Sequence, residues 1–394
     1  MASLETLISD DGDGKPRKRY RVRWRDPDGR QRAKTFNLKR AAEQHQINVA
    51  ADLLRGQYVD PDAGKETFES YATRWLAVQT FDLATANSVA DRLRLHAHPV
   101  LGAKPLRQIK PSTIQAWLRS MEALAPNYRK VIFANVSTVF AAAVDDEELR
   151  KNPCRAPSVQ RPKAEREDVV PWLRETVLGV RDALPKRYRI VVTLAAGLGL
   201  RQGEVFGLSP SDVDFLRGKV EVRRQVKLFR GNKQVFGLPK GRKVRTVPLP
   251  DSVRDTLAAY LTEYPTRPVT LPWDVPDGKP VTVDLILTNR ETKAMNRNYF
   301  NPFIWKKALE ACGVEPVRTN GCHALRHFYA STLLDAGESI KALSMYLGHS
   351  DPGFTLRTYT HLMPTSDERT RKAVDAMLGV QGVYSAPVLA HPRR

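Results

Sequence analysis

Two proline-bearing breaks limit what this chain can fold into. The first is the short run Val59-Asp60-Pro61-Asp62-Ala63-Gly64-Lys65, and the second, Asn152 to Lys163, holds three prolines. Proline removes a backbone donor and fixes φ, so neither a helix nor a sheet ladder continues through such stretches. The 394 residues therefore read as a multidomain α+β chain. An N-terminal unit covers 1–62, a helical unit 66–152, an extended interdomain linker 153–164, a larger mixed domain 165–375 and a loosely ordered tail 376–394. Length agrees, at about 150 residues per domain.

With 63 Lys and Arg against 43 Asp and Glu, the net charge is +20. The natural partner of such a chain is a polyanion: nucleic acid or an anionic membrane surface. The longest apolar stretch, Ile190 to Leu200, is closed by Arg189 and Arg201, well short of the roughly 20 residues a membrane span needs. The start, MASLETLISDDGDGKPRK, has no apolar segment after a basic beginning, so it does not read as a secretory signal. The expectation is a cytoplasmic, nucleoid-associated protein with no membrane contact. Three scattered cysteines, Cys154, Cys312 and Cys322, suit a reducing compartment and give no disulfide framework. Cys322, His323 and His327 cluster, but no second pair at zinc-site spacing joins them. Neither a metal nor another cofactor is expected.

Between Lys15 and Arg40 stand twelve basic residues and two acidic ones. Within that run Arg19-Tyr20-Arg21-Val22-Arg23-Trp24-Arg25 alternates as a strand does when one face packs and the other meets solvent or a ligand. Asp26-Pro27-Asp28-Gly29 is a turn, Arg30 to Phe36 a returning strand, and Asn37 a cap for a helix reaching about Arg55. An arginine-faced β-ribbon of this kind fits a DNA groove. Arg19, Arg21, Arg23, Arg25, Arg30, Arg32 and Lys34 are its candidate contacts, against the alternative of a merely solvated basic face. From Thr67 to about Glu148 the period is helical. Phe68, Tyr71, Trp75 and Leu76 recur at helical spacing, as do Ile114, Trp117, Leu118 and Met121, and Val131 to Val144 has one apolar face. About four helices follow, with the aromatics as core rather than base-stacking platforms. The larger domain mixes helices with a β-rich segment from Lys219 to Leu249.

Four patches of that domain carry chemistry. Gly197-Leu198-Gly199-Leu200-Arg201-Gln202-Gly203-Glu204 sets an arginine at the end of an apolar helix. His323-Ala324-Leu325-Arg326-His327 places His323 and Arg326 on one helix face. Leu347-Gly348-His349-Ser350 puts a histidine before a new helix, and Thr358-Tyr359-Thr360-His361 follows. Two arginines and two histidines without a matching acidic pair describe a phosphodiester site, since guanidinium forks match phosphate oxygens and histidines add donors. Carboxylate clusters for a two-metal nuclease are not evident, so the nucleophile must be a protein group. Tyr359 fits, and surrounding cations should favour its phenolate.

The string Gly199-Leu200-Arg201-x-Gly203-Glu204, then His323-x-x-Arg326, then Leu347-Gly348-His349, then Tyr359 with His361, resembles the tyrosine recombinases, in particular phage-type and integrative-element integrases. The motifs span about Thr193 to Leu362. The looser plan of basic ribbon, helical bundle and mixed α/β catalytic domain resembles the arm-binding, core-binding and catalytic layout of the larger integrases. The resemblance implies that Arg201, His323, Arg326 and His349 hold the scissile phosphate. Tyr359 would attack it to give a 3′-phosphotyrosine and a free 5′-hydroxyl. Glu204 would orient the first arginine's region. The family's hairpin lysine, general acid to the leaving 5′ oxygen, is matched by Lys240, although Gly241 replaces the usual threonine and Lys243 stands nearby. His327, beside Arg326, is read as supporting the site residues from behind or as structural. The implied partners are core-type and arm-type double-stranded DNA and a homotetramer assembled on it, with room for a DNA-bending accessory protein or an excision factor. The implied function is integration or excision of a mobile element without metal or ATP. A non-catalytic transcription regulator is the competing class, because Asp335-Ala336-Gly337 resembles a helix-turn-helix bend; it has no need of the complete Arg, His, Arg, His, Tyr set. A type IB topoisomerase shares the chemistry and lacks a reason for the basic N-terminal module.

Overall fold

The computed structural model describes residues 2–11, 15–27, 29–55, 63–163, 169–359, 371, 374–375 and 377–378. The expectations for His361 and, but for 377–378, for the tail 376–394 lie outside the described residues. The chain forms two compact units, Met1–Arg166 and Glu167–Arg394.

In the first unit Ser3–Asp11, Lys15–Arg25 and Gln31–Phe36 make an antiparallel sheet with the arginine-rich strand in the middle. The first strand, Ser3–Asp11, was not legible in the sequence, yet Leu4 pairs with Val22 and Thr6 with Tyr20. Val22 and Trp24 are buried against Ala42 and Val49 of the helix Lys39–Leu54. Side chains alternate across a strand, so Arg19, Arg21, Arg23 and Arg25 take the opposite face. Directly paired residues share a face, and Arg32 pairs with Trp24 and Lys34 with Val22. The seven candidate contacts therefore do not form one surface, which corrects the ribbon reading. Arg32 instead meets the Asp26 carboxylate at 3.1 Å, and the Lys34 ammonium lies 5.4 Å from the Phe36 ring centre. The helix begins with Leu38 at its N-cap, so Asn37 stands one position too early to cap it.

The bundle has the four helical segments expected: Phe68–Ala77, Leu83–Arg92 continuing through wider turns as Leu93–Gly102, Pro111–Arg119 and Pro126–Asp145. Thr67 and Asp82 cap the first two through their side chains, and Pro111 and Pro126 open the others where no backbone donor is needed. Phe68, Tyr71, Trp75, Trp117 and Phe140 are buried together, as core. The linker begins later than expected. Pro153–Arg155 is a single tight turn, Asn152 Nδ2 donates to the Ser137 carbonyl at 2.8 Å, and Cys154 and Val159 are buried in the bundle core. The helix Pro126–Asp145 has already ended before the first proline, and the two apolar side chains Cys154 and Val159 are worth more inside than in water. The first break is also bridged: Gly64 N donates to Glu148 Oε2 at 2.6 Å, and Arg150 pairs with Asp52.

The second unit is built around the helix Arg189–Leu198, buried through Ile190, Val191, Val192, Leu194, Ala195 and Leu198. Helices Arg174–Ala183, Asp251–Glu263 and His323–Asp335 pack around it. Three antiparallel strands, Val213–Asp214, Lys219–Val222 and Arg245–Pro248, form a small sheet, and Gln225–Leu228 pairs with Gln234–Gly237. A further hairpin, Arg267–Pro272 with Pro280–Leu285, lay outside the β-rich segment expected. The chain closes with Ile340–Leu347 and Pro352–Tyr359. Among the described residues no helix is long and apolar enough to cross a membrane.

Candidate active site

The helix Arg189–Leu198 ends at Gly199, in the left-handed region with φ 63°. A Cβ there would stand 2.5 Å from the Tyr329 ring, so only glycine lets the chain turn against the helix His323–Asp335. That turn delivers two things: the Gly199 carbonyl, which accepts from Arg326 Nη1 at 2.6 Å, and Arg201, N-cap of the short helix Gln202–Phe206. Arg326 is 1% exposed. Its Nη2 donates to the Leu347 carbonyl and approaches His349 Nε2 at 3.2 Å. Burial, reinforced by the Arg201 charge, pushes the Arg326 guanidinium down to about 9, so it remains a cation at neutral pH. Each terminal nitrogen carries two protons, so the fork is anchored at both tips and Nη1 keeps one proton beyond these contacts.

Glu204 is the anchor of the other arginine. Its carboxylate accepts from the Arg201 backbone N at 2.9 Å and Nη1 at 3.0 Å, and from Arg245 Nη1 and Nη2 at 2.9 and 2.6 Å. Burial raises the pKa of this carboxyl, but the Arg245 hydrogen bonds and the Arg245 and Arg201 charges outweigh it and hold Glu204 at about 2. Arg245 Nε also donates to the Tyr346 carbonyl at 2.6 Å. It thereby ties the strand Arg245–Pro248 to the helix Ile340–Leu347, whose left-handed C-cap Gly348 leaves room for the Arg245 side chain.

His349 follows that cap. Arginine has only donors, so the lone pair of His349 is at Nε2, facing Arg326. Its proton is on Nδ1, 2.7 Å from Thr355 Oγ1. Burial and then Arg326 and Arg201 push His349 down to about 3. As arranged here it buttresses Arg326, where the sequence reading had it donate to phosphate. His323 faces outward. Partial desolvation of its ring, then the charges of His327, Arg326, Arg201 and Lys240, lower its pKa even though the side chain is exposed. Lys240 is exposed on the turn after Gln234–Gly237, which Gly241 allows with φ 82°.

Tyr359 ends the helix Pro352–Tyr359 and is 2% exposed. Its hydroxyl lies 2.7 Å from His327 Nδ1. The expected bias toward phenolate is overturned: burial raises Tyr359 to about 12, against the lowering effects of Arg326 and Arg201. Desolvation of an anion exceeds the attraction of two guanidiniums already engaged with carbonyls and a carboxylate. Arg201, His323, Arg326, His349 and Tyr359, read from four distant stretches, converge in one pocket.

Residues 166–365 match the phage integrase family, and 68–158 match the phage integrase central domain. The chain belongs to the phage integrase family. A tyrosine recombinase XerC-like protein of Caldanaerobacter subterraneus subsp. tengcongensis is 31% identical to this recombinase over 247 residues, 58% of this chain and 61% of that one. The integrase of Mycobacterium phage FRAT1 is 26% identical over 317 residues, 80% of this chain and 89% of its own. Among solved structures, the Tn1549 transposon integrase in complex with a circular intermediate DNA superposes with a TM-score of 0.65 at 20% identity. It covers 78% of this chain and 99% of that one. A lambda integrase tetramer bound to a Holliday junction gives 0.58 at 17% identity, over 86% and 91%. These structures share the fold. The recombinase is thus a tyrosine-type enzyme of site-specific DNA recombination.

Three residues of the recombinase's pocket escaped the sequence reading: Arg245, Thr355 and, in its true contact, His327. Arg245 sits 41 positions from Glu204, a separation no local pattern reveals. The signal for His327 was there, because i and i+4 share a helix face and His323 had been placed in the site.

Proposed function

We propose that this recombinase integrates or excises a mobile element by cleaving and rejoining double-stranded DNA through Tyr359. The observation that carries the reading is the buried Tyr359 hydroxyl, 2.7 Å from His327 Nδ1 and within the field of the Arg326 and Arg201 charges. Arg326, anchored at two carbonyls, and Arg201, anchored at Glu204, present their remaining N–H groups to the non-bridging oxygens of a scissile phosphate. His323 adds a contact at the mouth, and His349 fixes the Arg326 plane. Attack by Tyr359 Oη gives a 3′-phosphotyrosine and releases the 5′ oxygen, which Lys240 protonates; its place among the charges acting on His323 favours it over Lys243. The phosphotyrosine keeps the energy of the broken bond, so rejoining needs no ATP.

In this reading the bundle of the first unit grips core-type DNA, and the face bearing Arg19, Arg21, Arg23 and Arg25 serves a distal arm-type site. Strand exchange between two duplexes takes four cleavages, so four protomers assemble on DNA, consistent with the tetramer of the lambda integrase. A DNA-bending protein or an excision factor can set the direction, and the work takes place in the cytoplasm, at the nucleoid. The test is covalent capture on nicked duplexes tiling the DNA that flanks the gene. Wild type should form a denaturant-resistant adduct, whereas Tyr359→Phe should bind the same duplex and form none. An adduct retained by Tyr359→Phe would refute the assignment.

A further inference from the structure

The nucleophile's proton must go somewhere, and the pocket offers few places for it. Arg201 and Arg326 are donors only. His349 has its Nε2 lone pair against Arg326 and its proton on Thr355. His323 presents its ring to His327 at a centroid separation of 4.7 Å and nearly at right angles, rather than to the tyrosine. His327 Nδ1, 2.7 Å from Tyr359 Oη, is the hydroxyl's hydrogen-bond partner among the described residues.

We propose that His327 is the catalytic base of this recombinase, taking the phenolic proton of Tyr359 as its oxygen bonds to phosphorus. The inference rests on Tyr359 being the nucleophile. The groups facing the His327 ring are Arg326 and His323 from its own helix and Tyr359 from the helix Pro352–Tyr359. Burial and the neighbouring Arg326 charge push His327 down to about 4, so the ring is neutral at physiological pH and its lone pair is free to accept. Tyr359, at about 12, does not lose its proton beforehand. Transfer accompanies attack, when the phenolic oxygen becomes an ester oxygen that can no longer hold a proton and the negative phosphorane stabilises the new imidazolium. In the balanced step the Tyr359 Oη–P bond forms and the P–O5′ bond breaks. The phenolic proton passes to His327 Nδ1, and the departing 5′ oxygen takes one from the Lys240 ammonium. Rejoining runs the same transfers backward, His327 returning its proton to the tyrosine.

The test uses the full chain on a nicked duplex carrying its own core site, with covalent adduct followed in a single turnover from pH 6 to 9. His327→Asn keeps an acceptor oxygen near the Nδ1 position without a basic nitrogen. General-base catalysis contributes about 10²–10⁴-fold, so this variant should lose about that much rate at pH 7 while retaining DNA in a gel shift. Its rate should climb about tenfold per pH unit as hydroxide replaces the base, whereas wild type stays nearly flat above pH 6. If His327→Asn does not bind DNA, His327→Gln carries the same expectation. An Asn variant within threefold of wild type and with its pH profile would reduce His327 to a positioning residue and overturn the proposal. A Tyr359→Phe protein that still forms adduct would instead overturn the nucleophile assignment, so the two failures are distinguishable.

Discussion

Removing Arg245 should cost this protein more stability than removing any surface charge. Glu204 is fully buried, with both oxygens bonded to Arg245, and only Arg201, itself partly exposed, remains if Arg245 is truncated. The Glu204 pKa falls from 4.5 to about 2, which at 1.36 kcal/mol per pH unit amounts to about 3 kcal/mol in favour of the ionised form. Breaking a buried pair from one side typically costs about 3–5 kcal/mol, so the two figures agree. For a unit of this size that is about 10 °C in Tm. Because the folded pKa is depressed, the contribution is complete above pH ~4.5 and is lost as pH falls through the folded value near 2. The assay is urea unfolding of wild type, Arg245→Ala, Glu204→Gln and the double variant at pH 7, repeated near pH 3. Trp172 and Trp305, stacked 6.1 Å apart in the same unit, report by fluorescence. Loss of less than 1 kcal/mol for Arg245→Ala, or additive single losses with no coupling, would refute the reasoning.

Arg201→Lys and Arg326→Lys should each lower adduct formation about 10²-fold or more, since an ammonium cannot bond two anchors and two phosphate oxygens in one plane; rates within twofold of wild type would argue against the clamp. A substrate with sulfur in place of the bridging 5′ oxygen needs little protonation, so it should rescue Lys240→Ala far more than Arg201→Ala. Rescue confined to Lys243→Ala would move the acid. Replacing Arg21, Arg23 and Arg25 with Ala should leave core-site capture intact and flatten the salt dependence of distal-site binding, by about 0.9 in log K per decade for each arginine that neutralises a phosphate. An unchanged slope would leave those arginines as a solvated face.

The pocket was legible because its members stand in short runs whose local structure the sequence itself dictates. Gly199 and Gly348 end helices in the left-handed region, and Arg201 and His349 follow within two residues. Helical spacing put His323 beside Arg326, and Pro352 opened the helix that ends on Tyr359. What sequence did not show depends on distance and burial. Arg245 meets Glu204 only after the strand Arg245–Pro248 is laid against the helix Ile340–Leu347. The protonation preference of Tyr359 turned on desolvation, which counting nearby cations leaves out. The same holds in the first unit, where alternation revealed the arginine face but only register showed that Arg32 and Lys34 face the helix. The prolines after Asn152 suggested an extended linker, while Cys154 and Val159 were drawn into the core.

The central claim is that one phenolic oxygen carries the DNA through the reaction. It is tested most directly by digesting the trapped adduct with protease and nuclease and sequencing the modified peptide by mass spectrometry. The account predicts a single nucleotide joined through its 3′ phosphate to Tyr359, with a free 5′-hydroxyl on the released strand. A modified residue other than Tyr359, or a 5′-phosphate linkage, would contradict it.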